Sequence, residues 1–249
     1  MITTNNLTKI FHDSKRGEIR AVDSVSIECR PGRVFGLLGL NGAGKTTLMR
    51  LLSTILKPTS GTASIAGYDI LNEPEKVKER IGFLSSSTGL YPRLTAEETV
   101  SYFGRLNGMD NLKLKRRLDD MFERFGMNEF RKRRIDKLSS GMKQKVSIAR
   151  TFINDPEVLI LDEPTLGLDV VTSRNIIGFI KESKQANKCL LFSTHVMWEA
   201  QKLCDDIAII HQGRILEVGT LDQLRTKTGM IDLDDIFVKI IDGASQHEF

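Results

Sequence analysis

Residues 39 to 47 read Gly-Leu-Asn-Gly-Ala-Gly-Lys-Thr-Thr, a complete G-x-x-x-x-G-K-[ST] loop, and its flanks restrict the fold more than any other stretch. The apolar run Val34-Phe35-Gly36-Leu37-Leu38 precedes it, and Leu48-Met49-Arg50-Leu51-Leu52 follows with helical composition. A strand, a glycine loop and a helix, in that order, are the context in which this motif binds phosphate. Gly39, Gly42 and Gly44 let the backbone curl so that N–H groups of the loop, which also contains Leu40, Asn41, Ala43 and Thr47, point inward. The helix N-terminus adds partial positive charge. Lys45 can reach β- and γ-phosphates, and the Thr46 hydroxyl is placed to ligate magnesium. A plain glycine turn before a helix does not require Gly-Lys-Thr at its end.

A second apolar strand, Val158-Leu159-Ile160-Leu161, ends in Asp162-Glu163-Pro164. Beside a phosphate loop, Asp162 can hold magnesium, usually through water. Strand alternation sends Glu163 to the opposite side, where it can polarise an attacking water. Two acids after a strand can also serve as helix-capping residues; their coupling to the loop at 39–47 favours the chemical reading.

The rest of the chain fits an α/β organisation. Val22, Val25 and Ile27 alternate with Asp23, Ser26 and Glu28, which predicts antiparallel strands before the phosphate loop. Thr62–Ile65 and Ile81–Leu84 are further short strands. From Leu94 to Phe152 the sequence becomes charged and helix-forming, with Leu112, Leu118, Met121, Phe122 and Phe125 at roughly helical period. Strands and helices then alternate: a helix from Val170 to Ala186, a strand at Cys189–Phe192, a helix around Met197–Cys204, a strand at Ile207–Ile210 and a hairpin partner at Arg214–Val218. Such alternation implies a parallel sheet covered on both faces, with the helical stretch inserted in it.

Bulk properties exclude several classes. Three scattered cysteines, Cys29, Cys189 and Cys204, have no metal-ligand spacing and read as reduced, buried thiols of a cytosolic compartment. No signal-peptide pattern opens the sequence, and no apolar run of about eighteen residues could span a bilayer. Work at a membrane would need a partner. From Asn111 to Arg150 there are thirteen Lys and Arg against five acids. That is read as a solvated face, with anionic lipid or nucleic acid as alternatives; no aromatic residue interleaves with Arg131-Lys132-Arg133-Arg134, which counts against single-strand binding. Trp198 is expected to pack, and His12, His211 and His247 to lie at the surface.

Over nearly its whole length the sequence resembles the nucleotide-binding subunits of ATP-binding cassette (ABC) transporters. Leu138-Ser139-Ser140-Gly141-Met142 stands where that family has its Leu-Ser-Gly-Gly-Gln signature. Leu168-Asp169 resembles the D-loop, His195 in Ser193-Thr194-His195 the switch histidine, and Phe11 the aromatic that stacks on adenine. The resemblance implies a P-loop NTPase (RecA-like) core with an N-terminal antiparallel β subdomain, residues 1–86 and 155–220. It also implies an inserted α-helical signature subdomain at 87–154 and a short C-terminal extension at 221–249, together one ABC-type ATP-binding domain. It further implies ATP and Mg2+ as ligands, with Glu163 and His195 catalytic. Two subunits would meet head to tail, so that Ser139, Ser140, Gly141 and Met142 act on the ATP of a second ATP-binding subunit. The family works in the cytoplasm at the inner face of the membrane, through an integral membrane permease. No nucleic acid is expected.

Two motifs depart from the family pattern. Ser86 takes the place of the Q-loop glutamine, and the signature has Ser140 for a glycine and Met142 for the glutamine. The run Ser139–Lys145, with the segment Thr88–Thr95, resembles the sodium-exporter (Nat-type) subgroup, which implies export, of sodium ions in that subgroup. Two other functions stay open at this point: a soluble ABC ATPase acting on nucleic acid or ribosomes, and a regulatory module that closes on ATP without hydrolysing it. The first would need long heptads between motifs or a second cassette, and neither is present; Glu163 argues against the second.

Overall fold

The computed structural model describes residues 1–14, 17–85 and 89–245; Ser86 lies outside them. In chain order come β1 (Ile2–Asp13), β2 (Gly17–Val25), β3 (Glu28–Cys29), β4 (Val34–Leu38), α1 (Lys45–Leu52), β5 (Ser60–Ile65), β6 (Tyr68–Asp69), α2 (Pro74–Arg80) and β7 (Ile81–Leu84). Three helices follow, α3 (Ala96–Leu106), α4 (Asn111–Arg124) and α5 (Ser140–Phe152). The chain then runs through β8 (Val158–Asp162), α6 (Val170–Gln185), β9 (Cys189–Thr194), α7 (Met197–Leu203), β10 (Asp206–His211), β11 (Arg214–Gly219), α8 (Leu221–Thr228) and α9 (Leu233–Ser245).

The strands form two sheets. One is antiparallel, in the order β2-β1-β5-β6 with β3 on β1. The other runs β11-β10-β4-β9-β8-β7, parallel except for the antiparallel hairpin of β11 on β10. Every residue of β4, β8 and β9 is buried. The two faces of these strands serve different cores, as a side-chain period of two requires. Val34, Leu159, Leu161, Leu190 and Phe192 join the core under α3 to α6. Phe35, Leu37, Val158, Ile160 and Leu191 join the core made with α1 and the antiparallel sheet. The chain is thus a P-loop α/β core with an antiparallel β subdomain and an inserted helical region.

Local signals start the inserted helices. Thr95 and Glu98 close a reciprocal capping box on α3, and the Asp110 carboxylate accepts from Leu112 and Lys113 N–H at the start of α4. One periodicity reading fails. Leu118, Met121, Phe122 and Phe125 are buried, but Leu112 is 62% exposed. The stripe continues instead through Leu114, four residues before Leu118 and seven before Met121, where one helical face returns. Phe152 of α5 lies 4.1 Å, centroid to centroid, from Phe179 of α6, which ties the insertion to the core. Arg131, from the basic run, bridges Glu97 at 2.9 Å and Asp119 at 2.7 Å and stacks over Phe122; its job is internal.

Trp198 differs from its expected packing. It is 55% exposed, with the Lys202 ammonium over its ring, because α7 turns that side outward while Ala200 and Leu203 fill the core. Cys29 and Cys189 are buried, and burial pushes both thiols up. His12 is exposed and His211 half-buried, while His247 lies outside the described residues. No helix among the described residues is long and apolar enough to cross a membrane. Phe152→Ala should cost about 3–5 kcal/mol, the usual range for removing a packed aromatic from a core. Chemical denaturation should report this as a lower midpoint with an unchanged slope.

Candidate functional site

The site forms where the C-terminal ends of β4, β8 and β9 lie side by side. Leu38 pairs with Thr194, and Asp162 with Ser193, so three strand ends stop at one level. The loop after β4 curls above them and opens into α1. Gly44 has φ +106°, and a Cβ there would collide with the Ala21 carbonyl oxygen. Only glycine meets both conditions. The resulting pocket is lined by the loop from Leu40 to Thr47, with Ala21 and Glu163.

Hydrogen bonds fix the charged groups. The Lys45 ammonium is buried and donates to the carbonyls of Gly39 at 2.7 Å and Leu40 at 3.2 Å, and lies 3.5 Å from Glu163 Oε1. The Asp162 carboxylate, also buried, accepts from three hydroxyls. Thr46 donates to Oδ2 at 2.8 Å, Ser193 to Oδ1 at 2.8 Å and Ser85 to Oδ2 at 3.3 Å. A buried charge needs such partners, since desolvation alone would cost several kcal/mol.

Glu163 does not follow strand alternation. Its φ is +48°, and its N–H donates to both Ser193 Oγ (3.1 Å) and Ser193 O (3.2 Å). This left-handed turn swings the carboxylate back, so that both acids face the phosphate loop. Asp162 meets Thr46 and Glu163 meets Lys45. A non-glycine residue held in this region stores strain of about 1–3 kcal/mol, common where a side chain must be aimed. His195 Nδ1 stands 3.2 Å from the same Glu163 Oε1. The turn carrying His195 is tied by the Thr194 hydroxyl, which accepts from Val196 N–H and donates to Glu199 Oε2 at 2.7 Å.

Magnesium fits the donors at this site. Thr46 and Asp162 offer hard oxygens 2.8 Å apart, and no group of three His, Cys, Asp or Glu side chains among the described residues makes a protein-only cage. That suits an ion taking few protein ligands and completing its shell with phosphate oxygens and water.

Other expected residues lie elsewhere. Ser139 caps α5, accepting from Met142 N–H at 3.3 Å, and Ser140, Gly141 and Met142 form its first turn. Helix α5 packs against α3 and edge strand β7, three strand spacings from β4 and so about 14 Å across the sheet. The signature therefore does not line the pocket of its own phosphate loop. Asp169 caps α6 through Thr172 N–H at 2.9 Å, and bonds from the Thr172 hydroxyl and N–H hold its carboxyl below the usual range. Phe11, on β1 opposite Ile19, presents a 38% exposed ring with the Lys9 ammonium over it. Ser193, Ser85 and Ala21 were not found by sequence reasoning. Only Ser193 had a signal there, a hydroxyl two residues before the histidine at the end of an apolar strand.

A phosphate loop facing two acids across parallel strand ends defines a phosphate-loop nucleotide hydrolase, and comparison with known proteins narrows this. The family model for "ABC transporter" matches residues 22–166. The ABC transporter ATP-binding protein NatA of Bacillus subtilis (strain 168) is 42% identical over 98% of this chain and 100% of its own length. The bacitracin transport ATP-binding protein BcrA of Bacillus licheniformis is 36% identical over 91% of this chain and 72% of its own. Among solved structures, an ATP-binding subunit of an ABC transporter matches with TM-score 0.90 at 29% identity, covering 97% of this chain and 99% of that one. A dimeric ATP-binding cassette in a post-hydrolysis state, bound to ADP and Pi, matches with TM-score 0.82 at 25% identity, covering 88% of this chain and 98% of that one. The chain belongs to the ABC transporter ATP-binding family and is an ATPase of that family.

Lys45→Ala should abolish tight MgATP binding, because it removes the buried cation of the phosphate loop. Titration calorimetry checks this; wild-type affinity in the variant would remove the loop from the nucleotide site.

Proposed function

We propose that this chain hydrolyses ATP to drive export through a separate integral membrane permease, and that it does so as one of two subunits facing each other head to tail. The observation that carries this reading is the one-sidedness of the pocket. Phosphate loop, acids and histidine crowd one end of the sheet, while the capped N-terminus of α5 stands away from them, unused by its own loop. A second copy turned end for end would bring its Ser139 hydroxyl and Gly141 N–H onto the γ-phosphate, where a helix N-terminus favours an anion.

Each residue then has a task. The loop N–H groups and Lys45 bind the β- and γ-phosphates, with Phe11 as the platform for adenine. Thr46 and Asp162 hold magnesium, which neutralises charge on the phosphates when bound. Glu163 takes the proton of the attacking water, and its contact with His195 leaves the imidazole able to orient that water or touch the γ-phosphate. Asp169 keeps the loop before α6 in shape for the partner. Sodium as the cargo rests on sequence likeness to the Nat-type subgroup alone. The cytoplasmic face of the membrane follows from the permease partner.

The subunit alone should be mainly monomeric and a poor ATPase. Glu163→Gln keeps the shape but cannot accept a proton, so turnover should fall about 10²–10⁴-fold while MgATP binding survives. Undischarged ATP should then hold a dimer visible by light scattering. Asp162→Asn should instead lose magnesium-dependent binding along with turnover. Near-wild-type hydrolysis by Glu163→Gln would assign the base to another group, His195 first. Full activity of a strict monomer would refute the head-to-tail arrangement.

A further inference from the structure

The antiparallel sheet carries the adenine platform and the parallel sheet carries the phosphate loop. Something must set the distance between them. One turn touches both. Gln212 and Gly213, with φ +45° and +80°, form the tight hairpin turn between β10 and β11. Gly213 N–H donates to the Ala43 carbonyl in the phosphate loop at 2.9 Å, and Asp23 N–H of β2 donates to the Gly213 carbonyl at 2.8 Å. The next residue, Arg214, donates from Nε to Asp23 Oδ2 at 2.7 Å. Arg20 and Ser24 take Oδ1 at 3.4 and 3.2 Å, and Asp23 is buried. The Arg214 guanidinium beside it is the main reason its carboxyl sits below the usual range.

The same strand leads to the base. Two residues before Asp23, Ala21 lines the nucleotide pocket, and its carbonyl oxygen abuts Gly44 and Gly213. Further along, Arg20 pairs with Ile10 and Ile19 with Phe11. The route from Phe11 through β2 and the 212–213 turn to Ala43 is short, and the ion pair of Asp23 with Arg214 closes it across 191 positions of sequence.

We propose that Asp23 and Arg214 are positioning residues that fix the spacing between the β1–β2 pair and the phosphate loop, and thereby set how much the adenine base contributes to nucleotide affinity. The proposal rests on the reading of this pocket as an ATP site with its base on β1. It concerns neither the phosphates nor the chemical step.

Titration calorimetry of the whole chain with MgATP and with magnesium tripolyphosphate separates the two halves of the ligand. Arg214 is mostly exposed, so Arg214→Gln opens no cavity, and a thermal melt checks that the variant folds; Asp23→Asn, which removes the buried charge itself, is the second variant. Both should lower the preference for ATP over tripolyphosphate about 5- to 20-fold, within the range that one stacked base is worth. Tripolyphosphate affinity should stay within about twofold, because the loop remains on its own sheet. An unchanged preference in Arg214→Gln overturns the proposal. So does a parallel loss for both ligands, which would make the pair general scaffolding. Phe11→Ala, measured beside them, judges the platform separately. If it leaves the preference unchanged, the assignment of Phe11 fails, while the Arg214→Gln ratio still decides the role of the ion pair.

Discussion

Parallel pairing of β4, β9 and β8 in one register is the constraint on which the rest depends. Because Leu38 stands beside Thr194 and Ser193 beside Asp162, three loops leave the sheet at one level and toward one side. In α/β sheets this crevice beyond the carboxyl ends of the strands is where ligands bind. A slip of one residue would turn every side chain of β8 to the other face and exchange the members of the two cores. The apolar packing on both faces, Leu159 and Leu161 on one and Val158 and Ile160 on the other, therefore also holds the position of Asp162.

On that frame the charges are placed by hydroxyls and by strain. Asp162 is buried yet keeps three hydroxyl donors, so its carboxylate is oriented before any ion arrives. Ser193 does double duty, donating to Asp162 and accepting from the N–H of Glu163. It couples the two acids through one oxygen. The left-handed turn at Glu163 is disfavoured locally and is held by the bonds to Ser193. Its effect is to aim a general-base candidate at Lys45 and His195 instead of away from them. Preorganised groups of this kind need little rearrangement when charge develops in a transition state.

Separation matters as much as assembly. The inserted helices are packed firmly on the core through Phe152 and Phe179, and Gln144 reaches the Pro164 carbonyl beyond β8. The N-terminus of α5 is thereby linked to the loop that follows the two acids, while remaining outside their pocket. On the opposite side, the hairpin turn at Gly213 joins the phosphate loop to the antiparallel sheet. The site is thus held between two attachments, one toward each subdomain.

Much of this was legible in the linear chain, for physical reasons. The phosphate loop is local: its glycines, Lys45 and Thr46 are adjacent and their chemistry does not need distant residues. Strands buried on both faces appear as unbroken apolar runs, which is why β4 and β8 could be read directly. Tertiary structure alone decided how those pieces meet. Glu163 turns toward the loop because of a bond to Ser193, thirty residues away, which strand alternation cannot anticipate. Leu114 rather than Leu112 faces the core because the phase of α4 is set by what it packs on. Asp23 and Arg214 look like two ordinary surface charges in the sequence, and only folding sets them 2.7 Å apart. The sequence determined the kind of chemistry, since that resides in contiguous residues, whereas aim and spacing came from contacts between segments that only the fold brings together.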